Sequence, residues 1–197
     1  KYKNIDYKDM LIELGALRKD RHGSNEYLLT TGGLLFFGKL SSITDRFPGF
    51  QLDYFEKNSS LDTDWIDRVS SGDMEYPELN VYKFFKIVLE KLNLTIKDTF
   101  LLEENSKSRL PYKSDLFTSV REALVNALMH SYYDSDKPIK ITAYADYYEF
   151  INPGKMRVTV EEFIHGGTSD IRNHTMSSIM RRIGISEKAG SGGPRIF

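Results

Sequence analysis

Apolar residues recur at three- and four-residue steps along much of the chain, and this period predicts amphipathic helices. The longest run follows Pro77 and covers residues 78–92, and a second covers residues 115–131. Shorter helices are predicted at residues 6–17, within the TTGGLLFFGK segment at 30–39, just after Gly154 and at residues 176–184. No Gly-Lys-Ser/Thr follows the glycine pair of that segment, so it is not predicted to be a Walker-type phosphate loop.

Other segments alternate between apolar and polar positions, which predicts β-strands. Residues 50–58 alternate in this way and place Phe50, Leu52 and Tyr54 on one side of a strand. Residues 138–145 and 147–154 are short runs of β-branched and aromatic residues, and together they predict a hairpin. The polar runs between the predicted elements, such as residues 18–26, are interpreted as loops.

The order of these elements predicts an α/β (α+β) fold. We expect a two-layer sandwich in which the helices at 78–92 and 115–131 cover one face of a mixed β-sheet. The hairpin at 138–152 is expected to supply central strands of that sheet.

The amino-acid composition excludes several classes of function. The chain of 197 residues has 27 basic and 28 acidic residues and a net charge of −1, so no global field attracts nucleic acid or an anionic membrane. It has no cysteine, which excludes disulfides and thiolate metal sites and is typical of a cytoplasmic protein. Its longest apolar stretch, residues 34–37, is too short to span a bilayer. Because the first residue is Lys1 and not Met, we expect a fragment of a longer protein.

The segment REALVNALMH at residues 121–130 contains the main candidates for chemistry. Glu122 and Asn126 lie one helical turn apart and share one face, roughly opposite an apolar stripe. Asn is a poor residue for the interior of a helix, so function can explain its presence. The carboxamide oxygen of Asn126 could bind Mg²⁺ and the carboxylate of Glu122 could polarise a water molecule. The alternative is that both side chains are simply solvated. Ser114 or Asp115 is expected to be the N-cap of this helix.

Two glycine-containing segments lie further along the chain. In GSGG, the glycines Gly190, Gly192 and Gly193 would let backbone amides approach phosphate oxygens, and the alternative is a surface turn. Asn152-Pro153-Gly154 ends a predicted strand and is also typical of a turn.

Taken together, Glu-x-x-x-Asn, a hairpin ending in INPGKM and a final GSGG resemble the N-box and glycine boxes of the GHKL (Bergerat-fold) ATPases. The segments REALVNALMH, EFINPGKM, IRN and EKAGSGGPRIF resemble more closely the GHKL-like C-terminal domain of RecG-related transcriptional regulators with a Schlafen AlbA-type (AAA-4) domain. TTGGLLFFGK is similar to the entry segment of the same family. On this resemblance, residues 1–110 are the N-terminal part and residues 111–197 the nucleotide-binding core of one structural unit.

The resemblance implies a role for each matching residue. Glu122 is the candidate general base, and Asn126 is the candidate Mg²⁺ ligand. The residues implied in nucleotide binding are Asn126, His130, Asn152, Gly154, Gly190, Gly192 and Gly193.

The chain also departs from the family pattern. Asn152 stands where a GHKL ATPase has an Asp that holds the adenine amino group, and Asn lacks the charge assistance of a carboxylate. Relatives commonly have His-Arg-Asp-Tyr where this chain has His130-Ser131-Tyr132-Tyr133. The segment between Gly154 and Gly190, where the resemblance implies an ATP lid, contains Arg172, Arg181 and Arg182. An Arg of a mobile lid could reach phosphate, and the alternative is a helix with two solvated Arg residues.

Three functions follow from these observations. The first is an ATP-binding module of a transcriptional regulator, with Mg²⁺ and ATP as cofactors and weak hydrolysis. The second is a non-enzymatic descendant of the fold that serves dimerisation or interdomain contact. The third, direct DNA binding, is disfavoured by the neutral charge, so contact with DNA is expected through flanking domains. A helicase motor is excluded by the lack of a Walker-type loop.

Overall fold

The chain folds around a four-stranded mixed sheet with two long helices packed on one face. The computed structural model describes residues 5–21, 23–96, 112–165 and 170–186. The helices are α1 (Tyr7–Leu14), α2 (Thr31–Phe37), α3 (Leu40–Arg46), α4 (Val81–Thr95), α5 (Tyr112–His130), α6 (Val160–His165) and α7 (His174–Arg182). The strands are β1 (Leu17–Lys19), β2 (Tyr27–Leu29), β3 (Leu52–Glu56), β4 (Asp67–Ser70), β5 (Ile139–Ala143) and β6 (Tyr148–Ile151).

The sheet has the strand order β4-β3-β5-β6. Strands β3 and β5 are parallel and pair Tyr54 with Ile141, whereas the two outer pairs are antiparallel. Side chains on alternate positions face the helices, and Leu52, Tyr54, Ile139 and Ile141 are fully or almost fully buried there. The predicted fold class, a mixed sheet with helices on one face, is therefore confirmed.

The core of the described chain is continuous. One cluster of buried apolar residues includes Leu14 near the beginning, Val88 of α4, Leu124 of α5 and Ile185 near the end. The proposed division of the chain near residue 110 lies between α4 and α5, in residues outside the described part, and it stays a prediction.

The glycine pair of the TTGGLLFFGK segment belongs to a helix, as predicted. Thr30 caps α2 by accepting a hydrogen bond from the amide of Gly33 at 3.0 Å. A Cβ atom on Gly32 would lie 2.7 Å from the backbone nitrogen of Met176, and one on Gly33 would overlap the carbonyl of Ala16. These glycines allow α2 to pack closely against α7 and the end of α1, so they serve packing and not phosphate binding.

Four predictions of local structure need correction. The polar run at residues 18–26 was expected to be a loop, but its first two residues belong to β1, which pairs with β2 in a small antiparallel ribbon. Helix α4 begins at Val81 because Asn80 accepts a hydrogen bond from the amide of Lys83 and acts as the N-cap. Helix α5 begins at Tyr112, so Ser114 and Asp115 lie within its first turn and neither caps it. The predicted hairpin is present, but only β5 is central, since β6 is the edge of the described sheet.

Helix α3 and strand β4 were not predicted. Strand β4 contains a single buried apolar residue, Val69, and this leaves no alternation to detect. None of the described helices is both long enough and apolar enough to cross a membrane.

Candidate functional site

Helix α5 presents the three candidate side chains from its second half. Glu122 is buried, with 6% of its surface exposed, while Asn126 and His130 are partly buried. The alternative of a simply solvated side chain is therefore wrong for Glu122. The physical reason is that α5 packs against α4 and against strands β5 and β6, so apolar residues are buried on more than one side of it. Among them are Val120, Leu124, Val125, Ala127, Leu128 and Met129.

The C-terminal end of α5 is held by the side chains of two consecutive residues. The amide of Asn173 donates from Nδ2 to the carbonyls of Met129, at 2.9 Å, and Ser131, at 2.7 Å. Arg172 donates from Nε to the carbonyl of His130 at 3.0 Å. The last carbonyls of a helix have no partner within the helix, so these donors supply hydrogen bonds that the helix itself cannot make.

The turn after β6 is tied to the same helix end. The amide of Tyr132 donates to the carbonyl of Pro153 at 2.8 Å. The guanidinium of Arg172 donates from Nη2 to the carbonyl of Lys155 at 2.8 Å, and its central carbon lies 5.6 Å from the centre of the Tyr132 ring. The end of α5 and the Asn152-Pro153-Gly154 turn thus form one hydrogen-bonded unit.

Two features of the structure favour glycine at position 154. Its φ angle is +114°, which side chains of L-amino acids rarely adopt. A Cβ atom there would also lie 3.1 Å from Nη2 of Arg172 and 3.1 Å from Cβ of Tyr132. The close approach of Arg172 to the turn therefore depends on Gly154.

The electrostatics of His130 follow from its position inside this unit. Burial lowers the pKa of the imidazole below its usual range, and the neighbouring positive charge of Arg172 lowers it further. Asp170 opposes these effects through its carboxylate and a backbone hydrogen bond. The neutral form of His130 is favoured, which leaves a ring nitrogen able to accept a hydrogen bond.

The middle of α5 is linked to the end of the described chain. The Nη2 atom of Arg121 donates to the carbonyls of Gly184, at 3.3 Å, and Ile185. This contact places the last described residue, Ser186, near the turn of α5 that carries Glu122. Gly190, Gly192 and Gly193 follow four to seven residues later and lie outside the described residues.

The arrangement confirms neither a catalytic role for Glu122 nor metal binding by Asn126, and both roles stay predictions. Within the described ranges, no group of three or more His, Asp or Glu side chains could hold a metal ion. A Mg²⁺ ion delivered with nucleotide phosphates does not need such a group, because it keeps several waters and takes one or two protein ligands. One amide oxygen at Asn126 is consistent with that coordination.

Sequence reasoning missed the structural role of Arg172 and Asn173. Arg172 was considered only as one of the Arg residues of an ATP lid that could reach phosphate, but it donates to two backbone carbonyls. One signal could have indicated this role. The residues after α5, SYYD, contain no glycine to end the helix in a left-handed conformation, so side chains from elsewhere had to supply donors.

The fold and this unit define a class of protein, a two-layer α+β domain whose long helix α5 is tied to the end of an edge strand. Comparisons with known proteins agree with that class. Residues 136–197 match the family described as "Putative ATP-dependent DNA helicase recG C-terminal", and residues 1–53 match a domain family of unknown function. The C-terminal third of the chain is thus similar to an ATPase-like, RecG-related domain.

A solved structure has the same fold. The crystal structure of the DIP2311 protein from Corynebacterium diphtheriae superposes with a TM-score of 0.72 at 18% sequence identity. The match covers 97% of this chain and 35% of that chain, so this chain spans about a third of the length of that protein. At this identity the likeness shows the fold alone. None of the curated proteins matches the chain.

Proposed function

We propose that the chain is an ATP-binding, GHKL-like module of a RecG-related transcriptional regulator, with slow Mg²⁺-dependent hydrolysis of ATP. One observation carries the proposal. The helix with Glu122 and Asn126, the Asn152-Pro153-Gly154 turn and the segment leading to GSGG are joined by side chain to backbone hydrogen bonds. These are the three segments that the resemblance assigns to the nucleotide. The family match over residues 136–197 supports the same assignment.

In this proposal each residue has a separate task. Asn126 would supply an amide oxygen to Mg²⁺, and bound Mg²⁺ would offset the negative charge of the phosphates. Glu122 would orient and deprotonate a water molecule. The backbone amides of Gly190, Gly192 and Gly193 would approach the phosphate oxygens.

The adenine ring of the nucleotide would contact the Asn152-Pro153-Gly154 turn. Asn152 would accept from the adenine amino group through its carbonyl oxygen, and His130 in its neutral form would accept a further hydrogen bond. Since an amide carries no charge, we expect weaker discrimination between ATP and GTP than an Asp would give.

The alternative is a non-enzymatic interaction domain, including a homodimer, with the same fold. It is favoured by Asn152 and by the Ser131-Tyr132 pair in place of the charged residues of relatives. Any contact with DNA is assigned to flanking domains.

Calorimetric titration of the chain with Mg-ATP, Mg-ADP and Mg-GTP tests the proposal. We expect saturable binding of ATP and ADP that is lost when EDTA removes Mg²⁺. If no heat is measured at millimolar nucleotide, the chain is an interaction domain.

A further inference from the structure

A second surface lies at the opposite end of the sheet. The connection between β3 and β4 and the turn between β5 and β6 meet there, because the amide of Lys57 donates to Ala143 at 2.9 Å and that of Ala145 donates to Asn58 at 3.4 Å. Strand β6 runs from this end to Asn152, so its four residues separate this surface from the candidate nucleotide site by roughly 13 Å.

Large apolar side chains are exposed on this surface. Leu61 is 91% exposed, Trp65 49% and Ile66 58%, and all three line an open pocket of about 410 Å³ together with Asn58 and residues 62–64. Scattered exposed apolar residues are normal in soluble proteins, but a cluster that contains Trp marks an interaction site. We call Asn58 and residues 61–66 the Trp65 surface.

Hydrogen bonds and ring contacts within the chain hold the loop of the Trp65 surface. Asp62 accepts a hydrogen bond from the amide of Ser59 at 3.0 Å, and its carbonyl accepts one from the ammonium group of Lys57 at 2.8 Å. The indole of Trp65 packs against Phe55, with ring centres 6.0 Å apart, and the guanidinium of Arg68 lies 4.8 Å from it. A partner would therefore not have to bear the entropic cost of ordering this loop.

The charges around the pocket favour one kind of partner. The carboxylates of Asp62 and Asp64 line it, and Asp146 lies in the adjacent turn. Three cations lie nearby and each has a contact within the chain. Lys57 binds carbonyls of the loop itself, Arg68 forms an ion pair with Asp73, and the ammonium of Lys140 lies 5.9 Å from the centre of the Phe55 ring. These carboxylates would repel the phosphates of nucleic acids and of anionic lipids and would attract Lys and Arg.

We propose that the Trp65 surface docks a basic segment of a partner protein. An apolar side chain of that segment fills the pocket against Trp65 and Leu61, and its Lys or Arg residues face Asp62 and Asp64. This docking is independent of nucleotide, because the two sites lie at opposite ends of the sheet.

The test begins with a library of random peptides displayed on phage and selected on the whole chain. We expect enrichment of peptides that combine Lys or Arg with Leu, Ile or Phe. Trp65 is the only tryptophan in the sequence, so its fluorescence reports binding of the synthetic peptides at this surface. Leu61→Ser and Asp64→Asn should each weaken binding about tenfold, the loss typical of an important contact residue.

A matched control distinguishes binding at the Trp65 surface from nonspecific binding to exposed apolar residues. Leu94 on α4 is 84% exposed and lies outside the Trp65 surface, so Leu94→Ser should leave peptide affinity unchanged. The proposal would be overturned if the selection enriched acidic peptides or enriched none. It would equally be overturned if the selected peptides bound Leu61→Ser and wild type with the same affinity. It would also be overturned by sedimentation that shows a dimer lost in Leu61→Ser, because the occupant would then be a second copy of the chain.

Discussion

Arg172 and His130 are joined by a hydrogen bond of 3.0 Å from the guanidinium Nε to the backbone carbonyl. The same guanidinium donates to the carbonyl of Lys155 and lies over the ring of Tyr132. A single side chain thus fixes the end of α5 relative to the turn that contains Asn152. The aromatic ring of Tyr132 faces the guanidinium at a cation–π distance.

Arg172→Ala should lower the free energy of unfolding by about 2 kcal/mol, because it removes two charge-assisted hydrogen bonds, of which the one to the carbonyl of His130 is partly buried. Arg172→Lys should recover only part of this loss, since a single ammonium cannot reproduce the planar geometry of the guanidinium. Urea unfolding monitored by circular dichroism measures both variants.

The matched control for this prediction is Arg157→Ala. Arg157 pairs with Asp170 at 3.1 Å, but both side chains are about half exposed, at 42% and 52%. The free energy of unfolding should change by less than about 0.5 kcal/mol. Equal effects of the two Ala variants would show that Arg172 does not hold the end of α5.

Gly154→Ala should destabilise the chain more than Gly23→Ala. Both glycines have positive φ angles, +114° and +101°, so the backbone strain of Ala is similar at the two positions. A Cβ atom at Gly154 meets Arg172 and Tyr132 at 3.1 Å, whereas nothing lies within 4 Å of one at Gly23. Gly23→Ala should cost about 1 kcal/mol, and the difference between the melting temperatures of the variants measures the added steric effect. Identical melting temperatures would contradict the close contact.

The regular helices could be predicted because their apolar positions recur with the helical period. Val81, Phe84, Phe85 and Val88 indicated α4 in this way, and they are buried as expected. The ribbon of β1 and β2 could not be predicted, since Tyr27, Leu28 and Leu29 are all exposed and show no alternation.

The candidate site was only partly predictable for a different reason. Glu122 and Asn126 are local features of one helix, so their spacing could be interpreted without a structure. The residues that hold that helix, Arg172 and Asn173, lie 42 to 44 positions from the carbonyls they bind. Local patterns contain no information about such pairs, and the burial of Glu122 likewise depends on elements far away in the sequence.

His130 should make stability depend on pH below neutrality. Its pKa in the folded chain lies below the ordinary value of 6.5 because of burial and Arg172. The unfolded chain therefore binds a proton first as the pH falls through 6.5, and the stabilising contribution of neutral His130 is lost from there downward. Wild type should lose stability relative to His130→Gln as the pH falls from about 7.5 to about 5.5. Parallel stability curves for the two proteins would contradict the lowered pKa.

Asn126→Ala and Glu122→Gln should differ in their effects on nucleotide, if the proposed function is correct. Asn126→Ala removes a ligand of the ground-state complex and should abolish Mg-ATP binding in calorimetry. Glu122→Gln should keep binding and lower the hydrolysis rate by roughly 10² to 10⁴-fold, because a general base acts mainly in the transition state. The two variants need different stability controls. Asn126 is only partly buried, so its replacement should alter the melting temperature little. Glu122 is buried, and Gln is used in its place because it keeps the size of the side chain and removes only the charge. A large fall in melting temperature for Asn126→Ala without any effect on nucleotide would mean that its amide serves packing of α5 and not chemistry.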